Sequence, residues 1–234
     1  MSFHQYLFWD FDGTLAYRDG MWTQTVFDLL QENGFYQIGF DEIRPYLQQG
    51  FPWHKPELPH ETFFGGISWW EYMTGYFKTV LRELGVDGIP ADEIAEQIRG
   101  EYLDQTKWHL FGDTVPCLKK AVEKGYINAI VSNHVPELPE LVSGLGIEYY
   151  FTRIYTSGLV GYEKPNPAIY RTALEGLDKP CEVTMIGDNM AADVEGARNA
   201  GLKAILVRKE NAGDYPYYCA DLNGIFDLLP AVIQ

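Results

Sequence analysis

Short apolar runs that stop at a polar or glycine-marked turn recur along this chain. Residues 6–9 (Tyr-Leu-Phe-Trp) end in Asp10 with Gly13 behind it, and residues 126–131, 149–154, 183–186 and 204–207 have the same form. Unbroken runs of this length predict strands buried on both faces. Helical patterns separate them. Residues 115–123 lead into Gly125, where a C-cap glycine belongs, and residues 191–200 stop at Gly201. Residues 167–177 open with Asn166 as N-cap and proline at the first helical position. Strands alternating with helices in this way predict a parallel sheet covered on both faces, with ligands held outside the carboxyl ends of its strands.

Residues 17–105 break the alternation. Ser68 can cap a helix whose apolar positions, Trp69, Met73, Tyr76, Phe77, Val80, Leu81 and Leu84, recur at three and four before Gly85. Residues 90–103 form a second amphipathic pattern with Asp92 and Glu93 in its first turn, and residues 23–30 a third. The fold class is therefore α/β: a Rossmann-like parallel sheet core with helices on both faces, from residues 1–16 and 106–234. A small, mostly α-helical domain at 17–105 interrupts it.

Composition narrows the partners. Of 234 residues 46% are apolar, enough for a sizeable core, and 15% are aromatic, many of them between Phe51 and Phe77. A net charge of −15 makes nucleic acid polymers and anionic membranes poor partners, and a phosphate site here needs a cation or a few placed lysines and amides. Cys117, Cys181 and Cys219 form no paired motif and read as reduced thiols. With no basic leader before an apolar run and no stretch long enough to span a bilayer, a soluble cytoplasmic protein is expected, monomer or homodimer.

Four segments carry candidate chemistry, each where a strand ends. In Asp10-Phe11-Asp12-Gly13-Thr14, alternation along a strand puts both carboxylates on one side. One can attack phosphorus, and the other can protonate the departing oxygen and then take a proton from water. Ser132 and Asn133 follow the run ending at Val131 and offer a hydroxyl and amides for a phosphate; Thr14 offers a second hydroxyl. His134, beside them, reads as an exposed loop histidine. Lys164, in a loop stiffened by Pro165 and Pro167, can neutralise both a carboxylate and a phosphoryl oxygen. Asp188, in Gly187-Asp188-Asn189, suits a hard cation, and Asp193 follows about one helical turn later. Each segment alone has an ordinary reading as a turn, a cap or a surface charge. Joined in this order they supply what phosphoryl transfer requires.

The joint pattern resembles the haloacid dehalogenase-like hydrolase superfamily, over residues 1–16 and 106–229. The resemblance implies that Asp10 is the nucleophile and a magnesium ligand, and that Asp12 is the general acid/base, lending its backbone carbonyl to Mg2+. It also implies that Ser132 holds the phosphoryl group, that Lys164 bridges it to Asp10, that Asp188 binds the metal and that Asp193 supports that end of the site. The helical insert matches the superfamily's cap in its first insertion position. A carboxylate at Asp12 points away from the halide-releasing and phosphonate-cleaving members, because an alkoxide leaving group needs a proton.

The expected activity is hydrolysis of a small phosphorylated metabolite by a phosphatase. A phosphomutase on the same core is the nearest alternative, and a non-catalytic phospho-aspartate signalling module is the alternative of another class. Within the insert, Trp53, His54, Lys55, Trp69, Trp70 and Tyr72 are candidates for substrate contact. Packing of the insert's own core accounts for aromatics at helical spacing, so His54 and Lys55, in a proline-rich loop, are the stronger specificity candidates.

Overall fold

The structure is a computed structural model and describes residues 4–63, 65–179, 181–209 and 213–229. Residues 1–3 and 230–234 of the predicted core, and Phe64 of the aromatic-rich run, lie outside these. The first strand, β1 (His4–Trp9), is followed by a short strand, β2 (Ala16–Arg18). The helices α1 (Met21–Glu32), α2 (Phe40–Ile43), α3 (Ile67–Glu83) and α4 (Ile89–Tyr102) come next. Strand β3 (Trp108–Leu110) then returns the chain by pairing antiparallel with β2, Arg18 opposite Trp108.

The remaining chain builds the sheet: α5 (Thr114–Glu123), β4 (Ile127–Ser132), α6 (Leu138–Gly144), β5 (Phe151–Thr156), α7 (Ser157–Val160), α8 (Pro167–Glu175) and β6 (Cys181–Gly187). After a π-helical turn at Met190–Glu195 come α9 (Gly196–Asn199), β7 (Lys203–Val207), β8 (Tyr218–Cys219) and α10 (Ile225–Leu228). All neighbours in the six-stranded order β5-β4-β1-β6-β7-β8 run parallel. Strand order reverses direction at β1, and such a switch opens a crevice at the strands' carboxyl ends.

Alternation along β1 splits the core into two layers. Leu7 and Trp9 join the side that continues into α1, α3 and α4, whereas Tyr6 and Phe8 face Ile169, Tyr170 and Val194. Aromatic packing carries the first layer across from the sheet: Phe11, Trp22, Trp69, Tyr102 and Trp108 belong to one buried cluster. A chain of charges fixes the ribbon to the helices. Arg18, almost wholly buried, donates to Glu101 at 2.7 Å, and Lys107 reaches Glu101 at 2.5 Å and Asp28 at 3.1 Å.

The structure departs from the sequence reading in particular places. Tyr17 and Arg18 lie in the ribbon, and the helices begin only at Met21. The strand read at 149–154 is displaced to Phe151–Thr156, because Glu148–Tyr150 form a 3-10 turn in which Tyr149 is exposed. Ser68 is not a cap: Gly66, with φ of 84°, precedes α3. The helix read at 191–200 starts as a π-turn because the Asn189 side chain captures the amides of Ala191 and Ala192. Asn166 caps α8 as read, accepting from the Ala168 amide. No helix of the described residues is long and apolar enough to cross a membrane.

Candidate active site

At the carboxyl end of β1 the backbone turns sharply. The Phe11 carbonyl accepts from the amides of Leu15 and Ala16, and Gly13 adopts a φ of 78°. A side chain is excluded there twice over, since a Cβ on Gly13 would stand 2.4 Å from Asp188 Oδ2. Arg208, held by Asp113, donates to the Thr14 carbonyl at 2.7 Å and pins the outer edge of the turn. Phe11 points into the core, so Asp10 and Asp12 share the other side.

Residues remote in sequence meet on Asp10. Its Oδ1 accepts from Ser132 Oγ at 2.9 Å and from Lys164 Nζ at 2.7 Å, and its Oδ2 lies 3.5 Å from Thr14 Oγ1. Lys164 Nζ also donates to Asp193 Oδ1 at 2.6 Å. Asn133 clamps the backbone of Lys164 from both sides: Nδ2 donates to its carbonyl and Oδ1 accepts from its amide. Asp193 is held from below by the Asn189 amide, and Asp188 pairs with Lys209 at 2.8 Å. Each of Asp10, Asp188 and Asp193 has a carboxylate oxygen within 4.8 Å of the others, and all three are buried. The Asp12 carboxylate stands outside this triad.

The electrostatics are those of an acidic site short of positive charge. Burial, then the charges of Asp10 and Asp188, raise the Asp12 carboxyl well above the usual carboxylate range. Asp12 Oδ1 has no hydrogen-bond partner among the described residues. Burial and Asp10 also raise Asp188, although Lys209 opposes the shift. Burial alone would lower the Lys164 ammonium, but Asp10 and Asp193 outweigh it and hold it charged. Four carboxylates thus face two ammonium groups. Oxygen donors with an excess of negative charge suit a hard divalent cation.

The cleft over these groups, about 540 Å³, is lined by all of Asp10, Asp12, Asn133, Lys164, Asp188 and Asp193. Its opposite wall is aromatic and apolar: Met21, Trp22, Trp53, Pro56 and Tyr102. His54 and Lys55 do not line it. In the 3-10 turn Pro52–His54 the imidazole folds back so that Nδ1 accepts from the Phe51 amide, and Lys55 faces a separate hollow with Tyr46 and Tyr76. Trp69 and Trp70 are buried in the core, and Tyr72 bonds the Gly50 carbonyl away from the cleft.

Three contributors were missed in the sequence. His134, read as exposed, is 1% exposed, caged by Phe11, Tyr102 and Trp108, with Nε2 3.7 Å from Asp12 Oδ2. Burial lowers its imidazole to about 4, so it is neutral at pH 7. Lys209 lies just beyond β7, a position whose only signal was its place after an apolar run. The flat stack of Trp22 on Tyr102, with centroids 3.6 Å apart, joins residues with no local pattern between them.

Comparison with known proteins shows the family and the fold. The family pattern described as haloacid dehalogenase-like hydrolase matches residues 5–201. A phosphoserine phosphatase of Thermus thermophilus is 33% identical over 148 residues, covering 62% of this chain and 58% of that protein. A glyceraldehyde 3-phosphate phosphatase of Methanothermobacter thermautotrophicus is 38% identical over 102 residues, covering 43% and 45%. The match thus spans about half the length of these relatives. Among solved structures, the hydrolase YfnB of Bacillus subtilis, bound to magnesium, superposes with a TM-score of 0.74 at 20% identity, covering 97% of this chain and 99% of that one.

Proposed function

Because this chain belongs to the haloacid dehalogenase-like hydrolases, we propose that it is a phosphatase that hydrolyses a small phosphomonoester through an aspartyl-phosphate on Asp10. One observation carries the reading: Ser132 Oγ and Lys164 Nζ converge on a single oxygen of Asp10. The phosphatase names of the two sequence relatives support it.

The reaction runs in two steps. An Asp10 carboxylate oxygen attacks phosphorus while the ester P–O bond breaks, and Asp12, whose protonated form burial favours, gives its proton to the departing alkoxide. Ser132 and Lys164 donate to the phosphoryl oxygens as charge shifts onto them. Asp12, now ionised, takes a proton from water; the resulting hydroxide attacks phosphorus, phosphate leaves and Asp10 is restored. A receiver-like module has no need of the acid at Asp12. Asp10, Asp188 and Asp193 fit a magnesium ion, as the oxygen-only donors and the excess of carboxylate indicate. When bound, the ion supplies positive charge against the phosphoryl oxygens.

Steady-state release of inorganic phosphate from p-nitrophenyl phosphate, with magnesium and after chelation, tests the proposal. Sustained release that chelation stops and magnesium restores is the expected result. Absence of release in magnesium would overturn it.

A further inference from the structure

The wall facing Asp10 has a chemical character that the catalytic groups do not require. Trp22 is locked flat against Tyr102 and is 7% exposed, so it presents a fixed edge. Trp53 stacks on Phe51 with centroids 4.6 Å apart and planes 16° apart, yet it stays half-buried and lines the cleft. Met21 and Pro56 complete an apolar surface.

Charge is confined to the catalytic floor. Among the described residues lining the cleft, the cations are Lys164 and Lys209, and each is already paired with carboxylates. Among the described residues no arginine lines it, and every lining carboxylate belongs to the cluster around Asp10. A substrate carboxylate or ammonium placed on the aromatic wall would lose its hydration there and find no counter-charge. A flat, neutral ring would instead exchange water for an indole face.

Resting on the phosphatase reading, we propose that the alcohol half of the substrate is uncharged and carries a planar aromatic ring that stacks on Trp53. A nucleobase and a simple aryl group share this chemistry, and the size of the ring-to-phosphate spacing separates them.

The test measures KM for the magnesium-loaded protein with adenosine 5′-monophosphate, phenyl phosphate, glycerol 2-phosphate and phosphoserine. The expected result is a KM about tenfold lower for at least one ring-bearing probe than for glycerol 2-phosphate, with phosphoserine the poorest. Preference for adenosine 5′-monophosphate assigns a nucleobase, and preference for phenyl phosphate an aryl group. Trp53→Ala should narrow the gap between ring and non-ring probes, and Trp53→Phe should preserve it. Equal or lower KM for glycerol 2-phosphate or phosphoserine in the unaltered protein overturns the inference while leaving the hydrolase reading standing. A gap unchanged in Trp53→Ala removes Trp53 as the platform. Release of phosphate from none of the four would instead overturn the phosphatase reading itself.

Discussion

Trp70 of α3 donates its indole N–H to both carboxylate oxygens of Glu137, each at 2.9 Å, and so ties the helical segment to the loop after β4. Arg99 reaches the same carboxylate at 2.5 Å and lies over the Trp70 ring, its guanidinium carbon 5.6 Å from the centroid. Glu137 is mostly buried, whereas Arg99 is more than half exposed.

That inequality makes the indole bond the stronger of the two contacts. Glu137→Gln keeps an acceptor for Trp70 and should cost under about 1 kcal/mol, as exposed ion pairs do. Glu137→Ala leaves the indole N–H unpartnered and should cost about 1–3 kcal/mol. Denaturant unfolding of both variants checks the order; equal losses would assign the stabilisation to Arg99.

Asp10→Asn should reduce phosphate release to background with an unchanged circular dichroism spectrum. Asp12→Asn should slow turnover by roughly 10²–10⁴-fold, the usual contribution of a positioned acid. Rapid-quench detection of protein-bound phosphate would separate their roles. Normal steady-state rates in either variant would remove its assignment.

Gly13→Ala should damage the Asp188 corner, where the proposed magnesium site lies, more than the fold. Its Cβ would collide with Asp188, and the positive φ adds strain of about 1–2 kcal/mol. The expected outcome is a magnesium requirement raised at least about tenfold if the displaced carboxylate loses about 1.4 kcal/mol of binding. A magnesium titration of activity, compared with the unaltered protein, is the measurement.

Glu163, 1% exposed, sits next to Lys164, and its Oε2 has no hydrogen-bond partner among the described residues. Burial raises its carboxyl to about 7 despite a Ser157 hydrogen bond and the Lys164 charge. The folded protein therefore binds this proton more tightly than the unfolded chain. Stability from this residue is full below about pH 4.5 and falls as pH rises through 7, by about 3 kcal/mol in total. Glu163→Gln carries no such proton, so its stability relative to the unaltered protein should grow between pH 5 and pH 8. Parallel curves at the two pH values would contradict the assignment.

The cluster around Asp10 was legible because its residues stand directly after apolar runs, and burial of those runs dictates where the next side chains emerge. That placed Asp10, Ser132 and Asp188, and its prolines marked Lys164, but each alone reads as a turn, a cap or a surface charge, and only their joint order singled them out. The aromatic wall was not legible. Trp22, Trp53 and Tyr102 come together through packing between separate helices and a loop, and a helical period does not reveal which side of an indole meets solvent. His54 and Lys55 show the same limit: one 3-10 turn decides that Trp53 and Pro56, their neighbours, face the cleft instead. Strands β2 and β3, three residues each, are too short for alternation to register.

That small ribbon has an architectural consequence. Arg18 and Trp108 lie side by side, so the chain leaves for the helical lobe and returns from it at one seam about 5 Å wide, with Trp70–Glu137 as a further, non-covalent tie. A splice across it could exchange the whole helical lobe for another of different lining without rethreading a single strand of the sheet. On the proposed function, substrate choice and bond-breaking chemistry would then be housed in parts that can be inherited, or engineered, separately.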